Sequence, residues 1–224
     1  MKNINQEELK EILKKHEMWL NDERGGERAD LYDSNLSYAN LKGANLRNAD
    51  LSNANLSNAN LYNADLSNAN LRGTNLSYAK LNYANLRNAD LIGAILWNAN
   101  LSYANLKNIE TNIHTIGYHL ACPEEGFFIG YKKANGCIIK LLILEDAKRS
   151  SATTMKCRCD KAKVLEIRKI DTGELMEKVR SNFDSNFIYE VGKVVSVEDF
   201  DDNRWNECST GIHFFVNKEN ALYY

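Results

Sequence analysis

The chain has 224 residues, 44% hydrophobic and 26% charged, with a formal net charge of −2, which is room for one repeat array and one further domain. That balance excludes a strongly basic nucleic-acid binder, and no apolar run reaches the roughly 18 residues needed to span a bilayer. The opening MKNINQEELK lacks the apolar stretch of a signal peptide and the five cysteines are an odd number, so a cytoplasmic protein with free thiols is expected, with no membrane contact.

Residues 5–22 read as a helix. Asn5 is placed to cap its first amides with Glu8 reaching back, and Leu9, Ile12, Leu13, His16, Trp19 and Leu20 recur at helical spacing until Gly25 and Gly26 stop it. Residues 1–28 are therefore expected to form an N-terminal cap, its apolar face laid over the open end of the adjoining segment.

That segment is strictly periodic. From Leu31 to Leu106 a leucine recurs at every fifth position, giving sixteen pentads without a slip. The residue two before each leucine is alanine except at Ser34 and Thr74, and the residue between is Asn or Asp except at Lys80 and Ile95. A helix would smear such leucines around its cylinder, and a flat strand would send alternate ones to water. A chain that bends by the same angle once per pentad keeps them all inside, which makes a solenoid. The run ADLSNANLSNANLYNADLSNANL resembles the pentapeptide-repeat family. The resemblance implies a right-handed quadrilateral β-helix over residues 29–110 with four pentads per coil, hence four coils in a mainly β protein.

In such a coil residues twenty apart stack, and the outward positions sort into faces. One face carries Arg47, Ser67, Arg87 and Lys107 beside Asn48, Asn68, Asn88 and Asn108. Another carries Tyr83 below Tyr103 with Tyr62 nearby, and the face before it carries Tyr38 and Tyr78. These tyrosines and cations are the candidate contacts for an unknown protein partner, with homodimerisation left open. In the last coil Ile92, Ile95 and Trp97 stand where other pentads are polar, so the C-terminal domain is expected to pack on them.

Some pentapeptide-repeat proteins resemble duplex DNA and inhibit type II topoisomerases. Between residues 29 and 108, six basic residues (Lys42, Arg47, Arg72, Lys80, Arg87, Lys107) face five acidic ones (Asp30, Asp33, Asp50, Asp65, Asp90), a net of +1. A mimic of the phosphate backbone needs a continuous negative field, so that alternative is disfavoured, as is nucleic acid as a partner.

From residue 111 the period vanishes, and 111–224 read as an α+β domain. Phe127–Lys133 and Cys137–Leu144 form a hairpin through Asn135-Gly136, and Lys163–Ile170 and Glu174–Arg180 a second one around Asp171, Thr172 and Gly173. Phe187–Val197 and Ile212–Val216 read as further strands, and Asn217 as the cap of a short final helix. The stretch from Cys122 to Ile170, and Tyr189–Lys193 with Gly211-Ile212-His213 and Tyr223-Tyr224, resemble modules of unknown function in bacterial and phage proteins.

Three features of this domain bear on chemistry. Cys157, Cys159, Cys208 and His213 are of the right kinds to ligate zinc, although one residue between the first pair is tighter than usual. Cys208 or Cys122 beside His213, His114 or His119 is the alternative of a nucleophile with its base. Lys156, Arg158, Lys161 and Lys163 form a basic patch able to meet an anionic ligand. The expectation is a non-enzymatic interaction or scaffold protein without a cofactor, the alternative being a ligand-binding or enzymatic C-terminal domain that uses His213 and Cys208.

Overall fold

Every pentad builds the same corner. The residue two after each leucine has a positive φ, from 50° at Asp33 to 70° at Gly93, in all sixteen pentads. The next amide donates back to the leucine carbonyl, as Ala39 does to Leu36 at 3.0 Å. Left-handed backbone suits Asn, Asp and Gly, and these fill twelve of the sixteen positions. The Asn or Asp before each leucine serves the same turn: its Oδ1 accepts from the amide two residues on, as Asp65 does from Ser67 at 2.9 Å. Both polar columns are thus turn chemistry.

Parallel bridges join residues twenty apart, from Asp30 with Asp50 to Asn85 with Asn105. The leucines from Leu31 to Leu101 are buried. Side-chain amides tie neighbouring coils on the outside, Asn108 donating to Asn88 (3.2 Å) and Asn88 to Asn68 (3.1 Å). Where Ser34 and Thr74 replace alanine, their buried hydroxyls donate to the carbonyls of Leu31 (2.6 Å) and Leu51 (2.7 Å), so neither is left unpaired.

The first coil is covered by α1 (Gln6–Leu20) and by β1 (Lys2–Asn3), which pairs parallel with β2 (Ser34–Asn35). Asn5 accepts from the amides of Glu7 (3.0 Å) and Glu8 (2.9 Å). Glu8 does not reach back as expected: its carboxylate lies 3.0 Å from the Lys2 ammonium, which holds its pKa below the usual value. Leu9 and His16 are the buried residues of α1, and His16 Nδ1 accepts from the Ala29 amide at 3.0 Å. Burial lowers the His16 pKa, and the neutral ring caps the first pentad.

At the other end the coil runs on past the last recognisable pentad. Leu91 donates to Glu110 and Leu96 to Ile116, both at 2.8 Å. Ile95 bridges Ile116 across twenty-one residues instead of twenty, because the final step holds one extra residue. Thr115 is buried there and donates to the Leu91 carbonyl at 3.0 Å, as Thr74 does to Leu51. Gly117, at φ 79°, lies so close to Leu96 and Trp97 that a Cβ would stand 3.0 Å from their backbone. Ile92, Ile95 and Trp97 are half-buried.

The computed structural model describes all 224 residues, and they divide into Met1–His119 and Leu120–Tyr224. The second unit holds β3 (Phe128–Ala134), β4 (Cys137–Ile143), β5 (Arg149–Ser151), β6 (Cys157–Cys159), β7 (Lys161–Lys169), β8 (Lys178–Arg180), β9 (Ile188–Glu190), β10 (Val194–Ser196), β11 (Ile212–Phe214) and α2 (Lys218–Tyr223). With one helix of six residues it is mainly β, a correction to the α+β expectation. The β3–β4 hairpin turns at Asn135 (φ 43°) and Gly136 (φ 71°) as expected from Asn-Gly. The second expected hairpin turns at Asp171, Thr172 and Gly173, with Lys169 donating to Glu174 and Met176 to Ile167 at 2.9 Å, but its second strand is corrected: past the Arg168–Leu175 bridge, Lys178–Arg180 leaves β7 and pairs with β9. Gly192, at φ 85°, breaks the expected strand 187–197 into β9 and β10.

The strand orders are β10-β7-β4-β3 and β11-β6-β5. Tyr131 and Phe215 exchange backbone hydrogen bonds of 2.7 and 2.8 Å, joining β3 to the end of β11. Ile139, Leu141, Ile143, Val164, Ile167, Cys157, Cys159 and Phe214 form the core. Arg149 clamps the loops around it by donating to the carbonyls of Pro123, Gly126, Leu144, Glu145 and Ala147.

Candidate functional site

Two places carry the candidate residues. On the repeat, Tyr83 and Tyr103 stack with ring centroids 4.9 Å apart, Tyr62 lies 5.5 Å from Tyr83, and the Lys42 ammonium sits 5.4 Å from the Tyr62 ring. The row is exposed, from 37% at Tyr62 to 61% at Tyr103, and Tyr38 and Tyr78 are also exposed. Tyr38, Tyr78, Tyr83 and Tyr103 all occupy the left-handed corner, with φ of 59° to 63°. Arg47, Arg87 and Lys107 are exposed on their own face, each with its backbone amide held by the Asn two residues earlier.

The second place is a cavity of about 640 Å³ within the C-terminal unit. Lys132 of β3 and Lys156 enter it, both buried, with Tyr189, His213, Phe215, Cys208 and Tyr224. Lys132 Nζ donates to the His213 carbonyl (3.3 Å), and Lys156 Nζ to the Tyr224 hydroxyl (3.1 Å) and Cys208 Sγ (3.6 Å). Burial is the main cause that lowers Lys132 to about 8, and burial with the neighbouring lysine charges lowers His213 to about 4. His213 is therefore neutral at pH 7, its Nε2 3.2 Å from the Glu207 carbonyl.

The expected zinc ligands are not brought together. Cys157 and Cys159 alternate with Arg158 along β6, so their side chains go into the core, whereas His213 is the cross-strand partner of Arg158 on the other face. Cys208 is exposed, and nowhere do three His, Cys, Asp or Glu side chains gather as a metal site. Burial drives the Cys159 thiol well above its ordinary pKa, and Cys157 is raised by its hydrogen bond with Cys122 and by burial, so neither is a ready thiolate. The basic patch also divides. Lys161 pairs with Asp146 (2.6 Å), Arg158 is buried against the carbonyls of Thr210 and Asn203, Lys163 is exposed, and Lys156 faces the cavity.

The pentapeptide-repeat model matches residues 29–68 and 69–108. Among solved structures, alr5209 from Nostoc PCC 7120, a pentapeptide repeat protein, is 34% identical over 51% of this chain and 84% of its own, with a TM-score of 0.35. The chain belongs to the pentapeptide-repeat proteins. Two others in this family are similar: Rfr23 of the cyanobacterium Cyanothece 51142 at 49% identity, covering 39% of this chain and 60% of Rfr23 with a TM-score of 0.39, and HetL of Nostoc PCC 7120, a protein involved in heterocyst differentiation regulation, at 42% identity, covering 36% and 38% with a TM-score of 0.36. The chain thus spans less than two thirds of Rfr23 and of HetL. Residues 118–221 of this pentapeptide-repeat protein match a family of unknown function, DUF5758. No curated protein sequence matches it.

Two features of the protein go beyond what its sequence pattern announced. The left-handed corner is signalled by the Asn, Asp or Gly two after each leucine, and that column shows which tyrosines depart from it. Lys132 sits on a strand with buried neighbours at Gly130 and Ala134, and that period-two pattern was the signal that it points inward.

Proposed function

We propose that this chain is a non-enzymatic interaction or scaffold protein in the cytoplasm. Its repeat, a right-handed quadrilateral β-helix of four coils, presents Tyr62, Tyr83 and Tyr103, with Tyr38 and Tyr78, to a protein partner, and Arg47, Arg87 and Lys107 flank them.

The observation that carries this reading is where the tyrosines stand. Four of them occupy a left-handed corner that twelve other pentads give to Asn, Asp or Gly, and a bulky side chain there costs roughly 1 kcal/mol of backbone strain. Aromatic rings held on rigid backbone, apolar on the face and polar at the hydroxyl, suit a protein interface. Asparagine would build the same corner without that strain.

The test is a pull-down from native lysate with the wild type and with Tyr83→Asn plus Tyr103→Asn. Asparagine suits the corner, so the variant keeps its fold. Loss of a captured protein with an unchanged melting curve supports the reading, and equal capture by both forms overturns it. Self-association that disappears in the variant identifies the partner as a second copy.

A further inference from the structure

The cavity of the second unit contains two ammonium groups, neither in ion-pair contact with a carboxylate. Lys132 and Lys156 are 8% and 7% exposed, and neither forms an ion pair with a carboxylate. An ammonium has three donors: Lys132 uses one, on a backbone carbonyl, and Lys156 uses two, on a phenol and a thiol. Burial works against the charged form of Lys156, but its hydrogen bond with Tyr224 and the nearby Glu207 raise its pKa overall, and one Glu207 carboxylate oxygen is taken by the Thr154 hydroxyl. Asp184 and Asp199 line the cavity as well, and His213 is neutral. Burying a cation without a contacting opposite charge is costly, and the low ammonium pKa of Lys132 records that cost.

The rest of the lining is apolar or aromatic, including Phe187, Tyr189, Ile212 and Phe215. A cavity of about 640 Å³ has the size of a small-molecule site, and apolar walls with a few convergent polar groups are its usual composition. We propose that this cavity binds a small organic anion, with its carboxylate or phosphate between Lys132 and Lys156 and its ring or chain against Phe187, Tyr189 and Phe215. The anion takes up the spare donors, and the aromatic walls exclude water from the pair. The site is independent of the tyrosine row, and either can fail without the other.

Calorimetric titration of the full chain with phenyl phosphate, with benzoate and with uncharged benzyl alcohol tests it. At least one of the anions should saturate with Kd below about 1 mM while benzyl alcohol does not, and the arm that binds tells phosphate from carboxylate. Lys132→Met and Lys156→Met should each weaken binding at least about tenfold. Absence of saturation by either anion up to about 10 mM, or undiminished binding by both variants, overturns the proposal. A second measurement needs no variant: the ammonium pKa of Lys132, followed by NMR of its Cε protons, should rise in saturating anion, and an unchanged titration overturns the site.

Discussion

A tyrosine at φ near 60° reports a conflict between local backbone preference and whatever retains the ring. Tyr78 shows it most simply, since it is exposed and stacks on no neighbouring ring. Tyr78→Asn is expected to raise stability by about 0.5–1 kcal/mol in urea denaturation, because asparagine tolerates the left-handed corner. A loss would show that the ring contributes to the fold. His213 gives a pH signature. Its folded pKa of about 4 lies below the free value of 6.5, so the unfolded chain binds the proton first. The stability it supports is complete above pH 6.5 and drains away as the pH falls towards 4. The full shift amounts to about 3 kcal/mol, and His213→Gln should flatten the acid limb of the stability profile by that order.

Among the elements, α1 is the one whose role the sequence conveyed most fully. Its heptad-like apolar face and Asn5 announced both the helix and its place at an open end, yet nothing in the pattern showed that His16 would take up the Ala29 amide. His16→Ala should cost about 2 kcal/mol by leaving that amide buried without an acceptor, read as a lower urea midpoint at constant m-value. The repeat was legible because one short rule, written sixteen times, specifies turn, core and ladder together. The second unit was legible only in part. Asn135-Gly136 fixes its hairpin locally, whereas the pairing of β8 with β9 and of β11 with β6 joins distant segments whose partners no nearest-neighbour signal names. The cavity was hidden for the same reason: β3, the segment at Lys156 and β11 come from three separate stretches of chain.

Charge decides what the assembled protein can approach. With six basic and five acidic residues between 29 and 108, the repeat has no continuous negative field to stand in for a DNA backbone. A supercoiling assay with DNA gyrase is expected to show no inhibition at micromolar protein, and inhibition there would refute the scaffold reading. No helix is long and apolar enough to cross a membrane. The extra residue between Glu110 and Ile116 matters for a different reason. Identical rungs stacked in perfect register would offer an endless template, on which a neighbour's first rung could continue the last and so on without limit. The final step departs from that sameness by one residue while keeping the ladder bonds, Leu96 donating to Ile116 at 2.8 Å and Ile116 to Ala94 at 2.9 Å, so a regular five-residue corner has no equal there on which to stack.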